Sequence, residues 1–381
     1  MTATFLIAIT IASLATGLLT KVVAEVTTPG CSDPVLATPF TNNNENLAHL
    51  VPLGNISPPA HNLATGHIYY TLKRGFDNVT LKTKLMAPAD VRVERISYIS
   101  DTRDGKLVAE DYKISMVPCK QVAIYFDHIQ QLSPKLENAW KEGNPRCSES
   151  TFGANNIGRY CDKDVNLNLK SGEGIGFAGE ATPTGWDFGA TDKRVPPLQF
   201  ANPARYRKNE LQTICPIDLF PSTMKQDLYQ FFGNERRKRT EEPICGAIMQ
   251  DVVGTAQGNW FDGKGSANDL EKNQKTLALI HDNFDPKMGI FVVNSQALGA
   301  VDKKLTFTPK NSGTINREFS EVKSGDLVYC YQDEGVGYAP PGTLPLSLLI
   351  RLKNEGELEV ATKNSACESN STLTNSHLFT R

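Results

Sequence analysis

Apolar and polar residues alternate with a period of two along most of this chain, the period of strands whose two faces meet different surroundings. His67-Ile-Tyr-Tyr-Thr-Leu72 opens the pattern. Val79-Thr-Leu-Lys-Thr-Lys-Leu85 continues it, with Val79, Leu81, Thr83 and Leu85 on one face, and Val91-Arg-Val-Glu-Arg-Ile-Ser-Tyr98 follows the turn Ala87-Pro-Ala-Asp90. Further strands are expected at 113–117, 121–126 and 165–170. Between them, 129–140 has helical spacing, with Ile129, Leu132, Leu136 and Trp140 along one side. A second region starts near Cys215. Residues 221–232 predict a helix carrying Met224, Leu228 and Phe231, and strands are expected at 244–253, 277–281, 289–293, 304–308, 327–332, 346–353 and 357–361. Short strands at such spacing predict a closed or sandwiched antiparallel sheet, so the fold class is mainly β.

Composition narrows the function classes. Forty basic and 42 acidic residues in 381 leave a formal charge of −2, which argues against a whole-molecule grip on nucleic acid. A hydrophobic fraction of 40% with 22% charged residues excludes disorder as the dominant state. Residues 5–19 form an uncharged apolar run, shorter than the ~20 residues that span a bilayer as a helix. With Val22 and Ala24 placed for cleavage after Ala24, residues 1–24 read as a signal peptide or a retained N-terminal anchor. Only the retained form would bring the chain to a membrane. The eight cysteines include no CxxC pair and, after export, predict disulfides, with Cys147–Cys161 and Cys215–Cys245 as local bridges. The sequons Asn55-Ile-Ser57, Asn78-Val-Thr80 and Asn370-Ser-Thr372 agree with a secreted or cell-surface glycoprotein. The basic run Arg236-Arg-Lys-Arg239 reads as a solvated loop.

Five elements in order carry a family resemblance. They are Gly66-His67-Ile-Tyr-Tyr70, Leu85-Met-Ala-Pro-Ala-Asp90 with Val91-Arg-Val93, Val122-Ala-Ile-Tyr-Phe-Asp-His128, Gly172 to Gly179, and Thr184-Gly-Trp-Asp-Phe188. Together, residues 52–192 resemble the lysostaphin/LytM-type zinc endopeptidase core, the duplicated hybrid motif. The resemblance implies a peptidase-like β-sandwich or barrel at 52–210, after an extended lead-in at 25–51. A second antiparallel β domain would follow at 211–367, with a flexible tail at 368–381. Within that second region, Gly258-Asn-Trp260 resembles the Gly-x-Trp of lipocalin barrels.

The same resemblance implies a degenerate metal site. The family holds zinc with His-x-x-x-Asp and a later His-x-His. Here Thr71 stands four residues after His67, no His-x-His occurs among the six histidines, and Asp187 takes the place of a ligand histidine. A catalytic zinc needs three protein donors and an open position for water. His67, His128 and Asp187 form the implied residual set, holding no metal or a weakly bound zinc, and no catalytic residue is assigned. With Tyr69 and Trp186 they form a candidate groove for a peptide or glycan of the envelope or extracellular space; His61 is an alternative ligand. The expectation is an exported noncatalytic binding protein. The competing expectations are a metal-dependent peptidase with an unusual His/Asp/His site and a structural cell-surface protein.

Overall fold

The computed structural model describes residues 28–152, 156–180, 185–335 and 346–381. The expected signal segment 1–24 and Thr184 lie outside the described residues.

The first unit comprises, in chain order, β1 (Leu47–Val51), β2 (His67–Leu72), β3 (Thr83–Met86), β4 (Val91–Arg103), β5 (Lys106–Cys119), β6 (Val122–Ile129), β7 (Gln131–Leu132) and α1 (Pro134–Lys141). It continues with β8 (Arg146–Phe152), β9 (Asn156–Leu169), β10 (Gly174–Ala178), β11 (Gly185–Asp192), β12 (Thr213–Ile214) and α2 (Ser222–Tyr229). One large sheet runs β1-β2-β11-β6-β5-β4-β9-β8, with β12 beside β11, and a small sheet runs β3-β10-β7. Alternation sends Ile68, Tyr70, Ile124, Phe126, Trp186 and Phe188 to one face, where they join Leu85, Ile175 and Leu136 in a single core. Phe40 is the hub, with its ring edge-on to Tyr70, Phe126, Trp186, Phe188 and Phe220. The expected lead-in is therefore part of the domain: Leu36, Phe40, Leu47 and Leu50 are buried, and Cys31 is bridged to Cys119.

The second unit comprises β13 (Gly258–Phe261), α3 (Ala267–Lys272), β14 (Lys275–His281), β15 (Gly289–Ser295), β16 (Ala300–Phe307), β17 (Tyr329–Gln332), β18 (Ser347–Asn354), β19 (Glu357–Lys363) and β20 (His377–Thr380). Their spatial order is β16-β15-β14-β13-β20-β19-β18-β17, with each neighbouring pair antiparallel. The two ends approach each other, where Glu334 N donates to Thr306 O at 2.9 Å and Asp333 Oδ1 accepts from Thr306 N at 3.0 Å. The result is a nearly closed up-and-down barrel. Its interior is packed with Trp260, Phe291, Phe307, Phe319, Tyr331 and Phe379, all buried. Trp260 Nε1 donates to Ala256 O at 2.8 Å, and the Arg381 guanidinium lies 4.1 Å from the indole centre.

The mainly β expectation holds, and both local disulfides form, with Cys330–Cys367 completing the set. Several boundaries move. The helix expected at 129–140 starts only at Pro134, because Ile129 ends β6 and proline suits a first helical turn. Only Thr83–Met86 of the strand expected at 79–85 is strand, and Val79 is exposed. Residues 244–253 form no strand; Gly246 sits at φ +81, and the Cys215–Cys245 bridge binds this stretch to the first core. The second unit thus gathers its core from Ala256 onward, rather than from residue 211. The expected flexible tail supplies β20, without which β13 and β19 would have no common neighbour. The basic run is not simply solvated: Arg239 is buried and donates to Asn283 O at 2.6 Å and Pro243 O at 2.9 Å, and Arg237 pairs with Asp285.

A strap, residues 52–65, joins the two units. Ile56 packs on Ala278, Ile280, Ile290 and Val292 of the barrel's outer face, and Lys304 Nζ donates to Ile56 O at 2.9 Å. Glu271 Oε1 accepts from Asn62 N at 2.6 Å and Leu63 N at 2.8 Å, and Asn62 Nδ2 donates to Asp302 Oδ1 at 2.8 Å.

Candidate functional site

The central strands β2, β11 and β6 set out the site as rows. His67, Gly189 and Tyr125 are in register across the three strands, and so are Tyr69, Asp187 and Asp127. Alternation gives these residues the face opposite the aromatic core. Gly189 is required here: a Cβ would sit 2.2 Å from the Tyr125 ring. That ring crosses the strand, and its hydroxyl comes within 3.0 Å of His67 Nδ1.

Where β6 pairs with the fourth strand, β5, the alternation of β6 breaks. Tyr112 pairs with Ile129 and Ile114 with Phe126, so Lys113 alone opposes Asp127 and His128. Two residues against one is a β-bulge, and His128 adopts φ +63 within it. In an unbroken strand, neighbours point to opposite faces. The bulge instead brings Asp127 and His128 to the same cluster. Asp127 Oδ2 lies 3.1 Å from Lys113 Nζ, and His128 Nδ1 lies 2.7 Å from Asp111 Oδ2.

Asp187 is the centre. Its Oδ2 is 3.2 Å from His67 Nε2 and 3.4 Å from His128 Nε2. Burial lifts the Asp187 carboxyl to about 7; the nearby His128 charge opposes the rise and Asp127 adds to it. Burial alone would lower His128, but the Asp111 hydrogen bond and the charges of Asp187, Asp111 and Asp127 raise it to about 9, so it is a cation at neutral pH. His67 is held well below the ordinary imidazole value by burial, then by His61, Lys113 and His128, so it is neutral. Tyr69 is pushed up to about 12, by burial and then by Asp187. At the cluster, the buried His67 Nε2 and Asp111 Oδ1 lack a hydrogen-bond partner, while the Tyr69 hydroxyl lies beside the Thr65 and Asn55 side chains. For His67, the 3.2 Å approach of Asp187 lacks the alignment of a hydrogen bond.

The structure thus brings His67, Tyr69, His128 and Asp187 together. His61 joins them from the strap, its ring 5.7 Å from that of His67 and 6.5 Å from that of Tyr69. Trp186 does not belong. It alternates with Asp187, points into the core at 2% exposure and stacks on Tyr70 at 4.4 Å, so its expected place in the groove is corrected. Sequence reading missed Asp111, Lys113, Tyr125 and Asp127. The signal was present in the polar positions of Asp111-Tyr-Lys113 and Tyr125-Phe-Asp127, which alternate with core residues.

The metal set also changes. Donor atoms of Asp111, Asp127 and His128 all lie within 4.8 Å of one another, a group able to hold an ion that shares only His128 with the expected set. These donors are already engaged with one another and with Lys113. A metal ligand histidine must be neutral, so an ion here would have to displace the proton that His128 carries and the Lys113 ammonium beside Asp127. As arranged, the residues do not fit a resident hydrolytic zinc.

Comparisons with protein-family models, with curated proteins and with solved structures find no match for this chain.

Proposed function

We propose that the chain is an exported, noncatalytic binding protein that engages a polar peptide or glycan ligand through the cluster of His67, Tyr69, His128 and Asp187. Four disulfides support an oxidising, extracytoplasmic setting, and no helix among the described residues is long and apolar enough to cross a membrane. The observation that carries the reading is the unmatched polar content of the site. Leaving a buried donor or acceptor without a partner costs about 1–3 kcal/mol, and two such atoms, His67 Nε2 and Asp111 Oδ1, lie in one cluster. A ligand's hydroxyl or amide groups would satisfy them. The lysostaphin-like order of elements adds support for a site at this place, without the donors that family uses for hydrolysis.

The second reading is a metal-dependent peptidase, favoured by the Asp111, Asp127 and His128 donor group. One experiment separates the two. Metal analysis of the purified protein is combined with a glycyl-peptide and peptidoglycan cleavage assay before and after chelation. No stoichiometric metal and no cleavage are expected. Stoichiometric zinc with chelator-sensitive cleavage, abolished in His67→Ala, would overturn the binding reading.

A further inference from the structure

Once Asp187 has ionised, above about pH 7, the charge in the cluster does not balance. Asp111, Asp127 and Asp187 supply three carboxylates, and Lys113 and the protonated His128 supply two cations. Each of the first two carboxylates has a cation within 3.1 Å, but Asp187 shares His128 at 3.4 Å and otherwise meets only the neutral His67. A buried carboxylate without its own counterion is costly. A separate observation points the same way. Asp111, 6% exposed, uses one oxygen on His128 and leaves Oδ1 without a donor. The walls are aromatic: Tyr69 and His67 lie edge to face at 4.7 Å, with His61 beyond. The cluster already houses one ammonium in this manner, since Lys113 Nζ lies 3.7 Å from the Tyr125 ring centre and 3.1 Å from Asp127. Carboxylates with ring faces are the combination that recognises a desolvated cation.

We propose that the group this site recognises is a primary ammonium, the free amine of a peptide or of an amino sugar, which supplies the missing positive charge beside Asp187 and lies against Tyr69. This inference rests on the binding reading above and sharpens it. A neutral ligand would fill the hydrogen bonds but leave the charge unmatched. A divalent ion would supply charge but meet Lys113 and the His128 proton.

The test follows the imidazole carbon and proton signals of the full chain, isotopically labelled at histidine, at pH 7.5. The probes are glycinamide, glucosamine, their N-acetyl counterparts, and zinc alone. The expected result is a saturable shift of the His67 and His128 signals by the free amines, with the acetylated probes weaker by about tenfold or more. A preference for glycinamide would identify the peptide source, and a preference for glucosamine the sugar source. Asp187→Asn should lose about tenfold for the amines and little for the acetylated probes. The wild-type comparison does not depend on that variant folding. Equal binding of free and acetylated probes would overturn the ammonium inference and leave the binding reading standing. No response to any organic probe would overturn both. Tight zinc binding that excludes the amines would overturn the inference in favour of the metal reading.

Discussion

The barrel and the large open sheet are both antiparallel, yet they place charge differently. The barrel has one inside, filled by Trp260, Phe291, Phe307, Phe319, Tyr331 and Phe379. The open sheet has two faces: one is packed as core, and the other carries three carboxylates, Lys113 and two histidines beside the strap. The nearly closed sheet fills its interior with apolar side chains and keeps its charged groups on the outer face, where Asp302 and Lys304 hold the strap. An open sheet can hold an unbalanced polar cluster on its second face without disturbing its core. Under the proposed binding role, the open sheet would be the ligand-reading region and the barrel its structural partner.

Four substitutions test this contrast. Trp260→Ala should be the most damaging. It empties the barrel centre and removes the indole beneath Arg381, so a loss of about 4 kcal/mol is expected in denaturant unfolding followed by circular dichroism. A loss below about 1 kcal/mol would mean that the barrel is not tightly packed.

The polar face should respond to pH instead. His128 rises from 6.5 to about 9 on folding, so its stabilisation is complete below 6.5 and is lost as pH climbs through 9. Its share is roughly 3 kcal/mol, reduced in practice by the partial exposure of the ring. The raised carboxyl of Asp187 has the opposite origin. Its penalty is absent below 3.8, grows as pH rises and is complete above about 7. Unfolding midpoints should therefore fall up to about pH 9 in the wild type, whereas in His128→Gln the only fall left in that window comes from Asp187, whose carboxyl rises further once the opposing charge of His128 is gone. A parallel fall in the variant would remove the bulge histidine from the account.

Gly189→Ala probes the row beneath. The new methyl group would collide with the Tyr125 ring, costing about 2 kcal/mol and moving the His67 imidazole signal as the Tyr125 hydroxyl is displaced. The smallest effect is expected from Glu271→Gln, at about 1 kcal/mol. The variant keeps an acceptor for Asn62 and Leu63 but loses its charge. Its signature would be faster amide exchange across 52–65 with the barrel unaffected.

Much of the sheet content was legible from alternation. His67–Leu72 alternates as read, while β14, β15 and the start of β18 are short continuous apolar runs, because both of their faces are buried. Val79 misled, since alternation continues into an exposed loop. Trp186 was misplaced for the converse reason: its neighbour Asp187 takes the polar face, and a strand cannot offer both. The pairing of His67, His128 and Asp187 was anticipated. The route to it was not, because a bulge is set by the register between β5 and β6 and leaves no mark in either strand's own composition. Asp111 and Lys113 were passed over because attention followed histidines rather than the charged partners that fix their protonation.

The strap has a practical consequence for dissecting this molecule. It carries the His61 ring toward His67, and it is clamped by the barrel on both sides of that residue, by Lys304 at Ile56 and by Glu271 and Asp302 at Asn62 and Leu63. Excising residues 28–250 as a minimal fragment would keep nearly every cluster side chain yet release the wall that carries His61. Weak or promiscuous capture by such a fragment would report a missing buttress, and grafting the reading face onto a smaller scaffold would require the barrel's outer surface to travel with it.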